Sequence, residues 1–370
     1  MKLNDLTNYL NNKLLIVNET NNQFEENIYN NIKNHIINFQ NNTKKQNVIA
    51  VALSGGCDSL SLTIALNNIG KQHNFSVLAI MINHNLRKES TNEIKKTIIT
   101  LNKFKIKYIV KEWDGVYKKN LENEARINRY KLLLETCKEE KINIICIGHH
   151  IDDQIETFLL NLARGSGIDG LCAMPKENFI NNIYIIRPML NIKKQSCKDY
   201  LEMSKIEWCE DESNNDTSFK RNKIRFILNQ IEDKNLLTER ISKSVNFLQE
   251  IKLTLDFFLK IICEKIEEDS KKFEENLNKK NSSLSKKIKK TDNNFNQIVI
   301  SKNVFVNYPD YIKKSILVFF IKKLSNQEYK PRLYQIENLL SSIIGDVEFK
   351  RTLSKCLIFS KKDLFIMKRI

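Results

Sequence analysis

Two short stretches concentrate the residue types that do chemistry. The first is VIAVALSGGCDS, residues 48–59, where an apolar run ends in two glycines flanked by Ser54, Asp58 and Ser59. The glycines let backbone amides turn inward, and the serine hydroxyls with a following helix N-terminus add donors for an anion. Asp58 is a carboxylate beside that anion, a placement that makes sense if Mg²⁺ sits between them. The second is GHHIDDQIET, residues 148–157. Asp152 and Glu156 are spaced i, i+4, and Asp153 and Glu156 i, i+3, so all three share the start of one helix. Three carboxylates and two histidines there exceed what capping needs. They suit a cationic substrate, a metal, or proton transfer.

Cations recur at helical spacing as well. Arg126, Arg129 and Tyr130 share one segment, and Arg221, Lys223 and Arg225 follow Asn214 and Asp216. Either set could face phosphate. A third glycine pattern, GSGIDG at 165–170, spells a dinucleotide fingerprint but follows a helix, whereas that fingerprint follows a strand. The chain has only nine glycines in 370 residues, against an average near ~7%, and six fall in these stretches.

These residues need elements to hold them. Apolar runs at Val48–Leu53, Ser76–Asn83, Lys107–Val110, Ile142–Ile147 and Ile183–Ile186 read as buried strands. Helical periods lie between them at Leu60–Ile69, Glu89–Phe104, Leu121–Cys137 and Asp152–Leu162. The alternation predicts an α/β fold, a parallel sheet with helices on both faces, whose ligands bind at the carboxyl ends of the strands. Both chemical stretches sit at such ends. Residues 1–46 read as a helical lead-in, 47–232 as the α/β domain and 233–370 as a mostly helical domain. The latter carries a Lys-rich insertion near 267–296, read as a solvated loop, and a tail of two or three short strands.

Composition limits the function classes. Hydrophobic residues make up 41%, enough for a core, and the net charge of +16 suggests a polyanionic partner. The abundance of Asn, Lys and Ile, as an AT-rich genome would write, weakens charge as a sole argument. None of the eight cysteines is paired as C-x-x-C, which argues against a zinc ribbon or a disulfide scaffold. No run approaches the ~18 apolar residues of a membrane helix. The N-terminus does not read as a secretory signal, so the expected location is cytoplasmic.

The S-G-G-x-D-S loop resembles the PP-loop of ATP pyrophosphatases. G-H-H-x-D-D-Q-x-E-T followed by LARGSGIDGL (162–171) resembles the tRNA(Ile)-lysidine synthetase family. NHNLR (83–87), EARINRY (124–130), Arg187-Pro188 and DESNNDTSFKRNKIR (211–225) fit in order. The resemblance is dense over about 47–230. The N-terminal lead-in is longer than the resemblance predicts, and the C-terminal part is too short for the second C-terminal domain of the longer members.

That resemblance implies a PP-loop, adenine nucleotide α-hydrolase-like fold that uses ATP, Mg²⁺ and L-lysine on an isoleucine tRNA with a CAU anticodon. It implies adenylation of the wobble cytidine's C2 oxygen, attack by the lysine ε-amine, and release of AMP and pyrophosphate. Ser54, Gly55, Gly56, Cys57, Asp58 and Ser59 would bind ATP, with Mg²⁺ on Asp58. Asp152, Asp153 and Glu156 would bind lysine, and Asp58, Asp153 and Glu156 would be catalytic. His84, Arg87, Arg126, Arg129, Arg221 and Arg225 would contact tRNA or phosphate. Oligomeric state stays open, a homodimer being one form. The rivals are a PP-loop tRNA thiolase, which commonly needs paired cysteines, an amidotransferase, which needs a glutamine-hydrolysing domain, and a non-catalytic RNA-binding protein.

Overall fold

The computed structural model describes residues 21–37, 47–83, 90–113, 121–210, 220–280, 297–326, 331–345 and 348–370. The chain divides into two compact units, Met1–Gln249 and Glu250–Ile370.

The first unit is built on a six-stranded sheet of order β3-β2-β1-β4-β6-β5. Its strands are β1 (Asn47–Ala52), β2 (Phe75–Asn83), β3 (Lys107–Glu112), β4 (Ile144–Ile147), β5 (Glu177–Ile180) and β6 (Ile183–Ile186). All neighbours pair parallel except β5, which closes one edge antiparallel to β6. The helices are α1 (residues 21–37), α2 (Cys57–His73), α3 (Ser90–Lys103), α4 (Leu121–Glu139), α5 (Ile151–Ala163), α6 (Ile168–Leu171), α7 (Lys194–Met203) and α8 (Lys220–Asn229).

Period-two alternation explains why the central strands read as unbroken apolar runs. On β1 and just beyond it, Ile49, Val51 and Leu53 enter one core, and Ala50 and Ala52 the other. On β2, Val77, Ala79 and Met81 take the first side while Leu78 and Ile80 take the second. Both faces are covered, so no position needs to be polar. Helix α1 belongs to the first core: Phe24, Ile28, Ile32 and Ile36, spaced four apart, are all buried there. Residues 21–37 therefore form part of the α/β unit, where a loose lead-in was expected.

The expected strands and helices of residues 47–190 are present, and α2 starts three residues earlier than its apolar period, at Cys57. Helix α9 (Lys234–Lys280) runs through 267–280, the first part of the tract read as a solvated loop; residues 281–296 lie outside the described residues. The boundary between units falls inside α9 after Gln249, where the sequence suggested 232.

The second unit has its own core. Strands β7 (Gln297–Ser301), β8 (Lys350–Leu353), β9 (Cys356–Lys361) and β10 (Leu364–Arg369) form an antiparallel sheet of order β7-β10-β9-β8. The short α10 (Lys302–Val306) follows β7. Ile316, Leu317 and Phe320 of α11 (Asp310–Ser325) and Ile336, Leu339 and Ile343 of α12 (Leu333–Ile344) pack on that sheet's Ile298, Ile358, Phe365 and Met367. The tail strands thus join a fourth, β7, that the sequence reading lacked.

Candidate active site

Strand order reverses across β1: β2 lies on one side and β4 on the other. Crevices at such points, outside the carboxyl ends of parallel strands, are where open α/β sheets bind ligands. The S-G-G-x-D-S loop leaves β1 there, and the paired histidines leave β4 beside it.

The loop is shaped by its own residues. The Ser54 N–H donates to Ser59 Oγ at 3.1 Å, the two hydroxyls meet at 3.0 Å, and Ser59 Oγ donates to the Gly56 carbonyl at 3.2 Å. Gly55 has φ +88°, and a Cβ there would lie 2.7 Å from Thr97 Oγ1. Gly56 caps the 17-residue α2 with no side-chain cap bond, which leaves the first-turn amides for an anion. Gly148 serves the same packing: a Cβ there would meet the Asp58 carbonyl at 3.0 Å. Cys57 is buried, and burial with the neighbouring Asp58 pushes its thiol up to about 12, so it is inert as a nucleophile.

The adjacent histidines are opposites. His149 is pushed down to about 3, first by burial and then by Arg187, Arg129 and Arg126, against the opposing pull of Asp153. It stays neutral. His150 is pushed up to about 10: burial opposes its charge, but Asp152 and Asp58, then Asp153, more than offset this. Its Nε2 lies 3.4 Å from both Asp58 Oδ2 and Asp153 Oδ2, and Nδ1 lies 3.3 Å from Asp152 Oδ2. His150 is thus a cation tying the loop's carboxylate to the start of α5.

The three acids of α5 have separate tasks. Asp153 Oδ2 also accepts the His150 N–H at 3.0 Å and so caps the helix. Asp152 accepts the Lys194 N–H at 3.3 Å. Despite burial, His150 holds both aspartates below the usual range, Asp152 at about 2. Glu156 is 3% exposed and forms a two-pronged pair with Arg225, Nε to Oε1 at 2.5 Å and Nη2 to Oε2 at 3.1 Å. Burial still leaves its carboxyl above the usual range. Gln154 exchanges two hydrogen bonds with the Met174 backbone, at 2.8 and 2.7 Å, and braces the helix.

Two cavities meet at the loop. One, about 380 Å³, has an apolar floor including Ala52, Ile80, Ile82, Leu133 and Ile147, with Arg129, His149 and Arg221 on its wall. The other, about 720 Å³, is lined by His150, Asp152, Glu156, Arg225 and several lysines. Ser54, Gly56, Asp58 and Asp153 line both.

The expected phosphate contacts separate accordingly. Among the described residues, neither Arg129 nor Arg221 pairs with a carboxylate, and Arg129 Nε is buried without a hydrogen-bond partner. Burial, with Arg126 and Arg221 nearby, pulls the Arg129 guanidinium below its usual range, as expected of a cation set awaiting an anion. Arg126 is exposed, 5.7 Å over the Tyr130 ring. Arg225 is committed to Glu156 and is not a free phosphate ligand. His84, Arg87, Asn214 and Asp216 lie outside the described residues. GSGIDG follows α5, as expected of a decoy.

Sequence reasoning missed Lys194, whose Nζ is 3.9 Å from Asp58 Oδ2. Its signal was available, because Lys194 opens the helix that follows β6, another carboxyl end on the same rim. It also missed residues 208–210, which line the larger cavity while the Cys209 N–H bonds the Gly55 carbonyl at 3.1 Å.

Residues 25–231 match the PP-loop domain, so the chain is a PP-loop protein, a class that uses ATP. A U34-tRNA thiolase from Methanococcus maripaludis, described with its iron–sulfur cluster, shares this fold. The TM-score is 0.51 at 20% identity, over 63% of this chain and 81% of that one. The chain belongs to the tRNA(Ile)-lysidine synthase family. It is 31% identical to the Wolbachia pipientis enzyme over 84% of this chain and 68% of that relative. It is 33% identical to the Rickettsia typhi enzyme over 84% of this chain and 66% of that one. The chain thus spans about two thirds of these relatives' length.

Proposed function

We propose that this chain ligates L-lysine to C2 of the wobble cytidine in an isoleucine tRNA with a CAU anticodon, converting ATP to AMP and pyrophosphate. The observation that carries this reading is the position of Asp58, in a phosphate loop shared by two cavities of different character. The smaller offers an apolar floor and two arginines without carboxylate partners, suited to adenosine and phosphate. The larger offers the acids of α5. There, four carboxylates (Asp58, Asp152, Asp153, Glu156) gather around His150, Lys194 and Arg225, and an incoming ammonium would find acceptors among them.

Asp58 Oδ1 is buried with no hydrogen-bond partner. An unpaired carboxylate oxygen beside a phosphate loop fits Mg²⁺, which takes one or two carboxylates plus substrate phosphates. When bound, the ion would supply neutralisation of the triphosphate charge. The protein's own groups do the rest. The loop amides and the α2 N-terminus bind phosphate, and Arg129 and Arg221 hold its charge in place.

Adenylation turns the cytosine C2 oxygen into a leaving group. The lysine ε-amine, with a pKa near ~10.4, must lose its proton before attacking C2. Asp152 and Asp153, held low, anchor the ammonium. Glu156, the one α5 acid displaced upward, is assigned as proton acceptor, since environments that push carboxylates apart divide such roles. The second unit, with the larger share of the net positive charge, is assigned to hold tRNA, and the meeting place of these substrates is the cytoplasm.

The test incubates the full chain with ATP, labelled lysine and tRNA, followed by mass spectrometry of the nucleosides. The expected product is a cytidine carrying lysine, and Asp58→Asn should abolish both label transfer and pyrophosphate release while the chain stays folded. A thiolated nucleoside, incorporation of another amino acid, or near wild-type turnover by Asp58→Asn would refute the assignment.

A further inference from the structure

The GSGIDG stretch and the residues after it, as far as 176, take no part in the chemistry above, yet they are fastened from three directions. Two turns apart on one face of α5, Asn161 Nδ2 donates to the Gly170 carbonyl at 2.8 Å and Gln154 exchanges its two bonds with Met174. Just past β6, Arg187 donates through its N–H to the Lys176 carbonyl at 2.8 Å and through Nη1 to the Pro175 carbonyl at 3.0 Å. From α9, Gln249 Nε2 donates to the Cys172 carbonyl at 2.9 Å and to the Met174 carbonyl at 3.1 Å, and the Cys172 thiol donates to the Leu248 carbonyl at 3.3 Å. Between these ties Ala173 is held at φ +52°, a left-handed conformation that a residue with a Cβ keeps only where its surroundings over-determine it.

The Met174 carbonyl accepts from α5 and α9 at once, so a shift of Gln249 is felt by Gln154. Gln154 lines neither cavity, whereas Asp152, Asp153 and Glu156 of the same helix do. Helix α5 therefore presents its acids from one side and is held from another. Gln249 is the last residue of the first unit, on the helix that runs on into the second. Its amide suits the place, because two N–H groups serve two carbonyls with no charge to desolvate.

We propose that Gln249 is a positioning residue for lysine transfer. Through the Met174 carbonyl that it shares with Gln154, it sets where α5 holds Asp153 and Glu156. The inference rests on the ligase reading and adds to it a residue that lines neither cavity. Attack by an amine needs the acid that takes its proton and the carbon it meets to be aligned. A misplacement of ~1 Å, caused by a change remote from the chemistry, can cost about 10²-fold in rate.

The test uses the full chain carrying Gln249→Met, which keeps the stem and removes both donors. The kcat for lysine transfer should fall about tenfold or more, while the KM for ATP and the affinity for tRNA stay within about twofold, because the phosphate loop and the second unit are untouched. Hydrogen exchange over α5 should quicken in the variant, with no change over α2. Gln249→Lys restores a donor of similar reach and should recover most of the lost kcat, which separates a lost contact from a damaged fold. An unchanged kcat with unchanged exchange over α5 would overturn the proposal. So would equal losses in kcat and tRNA affinity, which would make Gln249 a prop for α9 alone. A wild-type chain that transfers no lysine would refute the ligase reading itself, and the exchange over α5 would then still decide whether Gln249 holds that helix.

Discussion

At the scale of single residues, the site works by giving like side chains unlike surroundings. His149 and His150 are neighbours in sequence, yet one lies among arginines and the other among aspartates. Stability follows with opposite signs. His150 is raised above its unfolded value, so its contribution is complete below pH ~6.5 and is lost as pH rises toward 10. His149 is lowered, so the unfolded chain alone takes its proton, and stability falls as pH drops from ~6.5 toward 3. With ¹⁵N-histidine labelling and neither ATP nor Mg²⁺ present, His150 should remain doubly protonated at pH 8 and His149 neutral at pH 5.5. Two rings titrating together near 6.5 would contradict the geometry. Glu156 and Arg225 teach a related point. Removing one partner of a buried pair leaves an uncompensated charge, at about 3–5 kcal/mol, so loss of activity in either variant needs a stability measurement beside it.

At the scale of elements, α1 and α7 are held by distant partners. The Tyr200 hydroxyl on α7 donates to Glu25 Oε1 on α1 at 2.5 Å, Asn68 on α2 donates to the same oxygen at 2.8 Å, and the Phe24 ring stacks on Tyr200 at 4.5 Å. This joint sets the helix that presents Lys194. Tyr200→Phe keeps the ring and removes the donor to a carboxylate, at a cost of about 1.5–3 kcal/mol. Both tryptophans, Trp113 and Trp208, lie in the first unit, so their fluorescence reports its unfolding. The unfolding free energy from urea titration should fall by that amount, and an unchanged midpoint would show that the joint contributes nothing. The same elements mark how far sequence reading reached. β1, β2 and β4 were legible because strands buried on both faces write unbroken apolar runs. The loop and the α5 acids were legible because glycines and carboxylates cluster there. β5 was not, since a four-residue edge strand with Phe179 exposed has neither a run nor a long alternation. The spacing of Phe24, Ile28, Ile32 and Ile36 announces a buried helical face, but Glu25 meets a tyrosine 175 positions away. For Arg225 likewise, helical spacing gives a face and says nothing of Glu156, 69 positions back.

For the whole molecule, charge is shared unevenly between the units. Residues 250–370 hold 25 of the 60 Lys+Arg and 15 of the 44 Asp+Glu, which is +10 of the total +16 in a third of the chain. Much of it lies on the β8–β10 meander. Lys350, Arg351, Lys355, Lys361, Lys362, Lys368 and Arg369 are all exposed, with Asp363 as the single acid between Lys350 and Ile370. Among the described residues none of these seven pairs with a carboxylate, whereas Lys314 on α11 pairs with Glu337 at 2.8 Å. Unpaired surface cations cost little in water but release counterions when they meet a phosphate backbone, which makes binding steeply salt-dependent. If this unit holds tRNA, the meander should carry a measurable part of the slope. Replacing Lys361, Lys362, Lys368 and Arg369 together by Gln should weaken tRNA binding and flatten the log–log salt dependence by roughly 0.7–0.9 per lost contact. The groups proposed as catalytic all lie in the first unit, so kcat at saturating tRNA should hold. Lys314→Gln is the control, since its charge is already spent on Glu337. Equal losses in the control and the fourfold variant, or an unchanged slope in the latter, would remove the meander from the tRNA-binding surface.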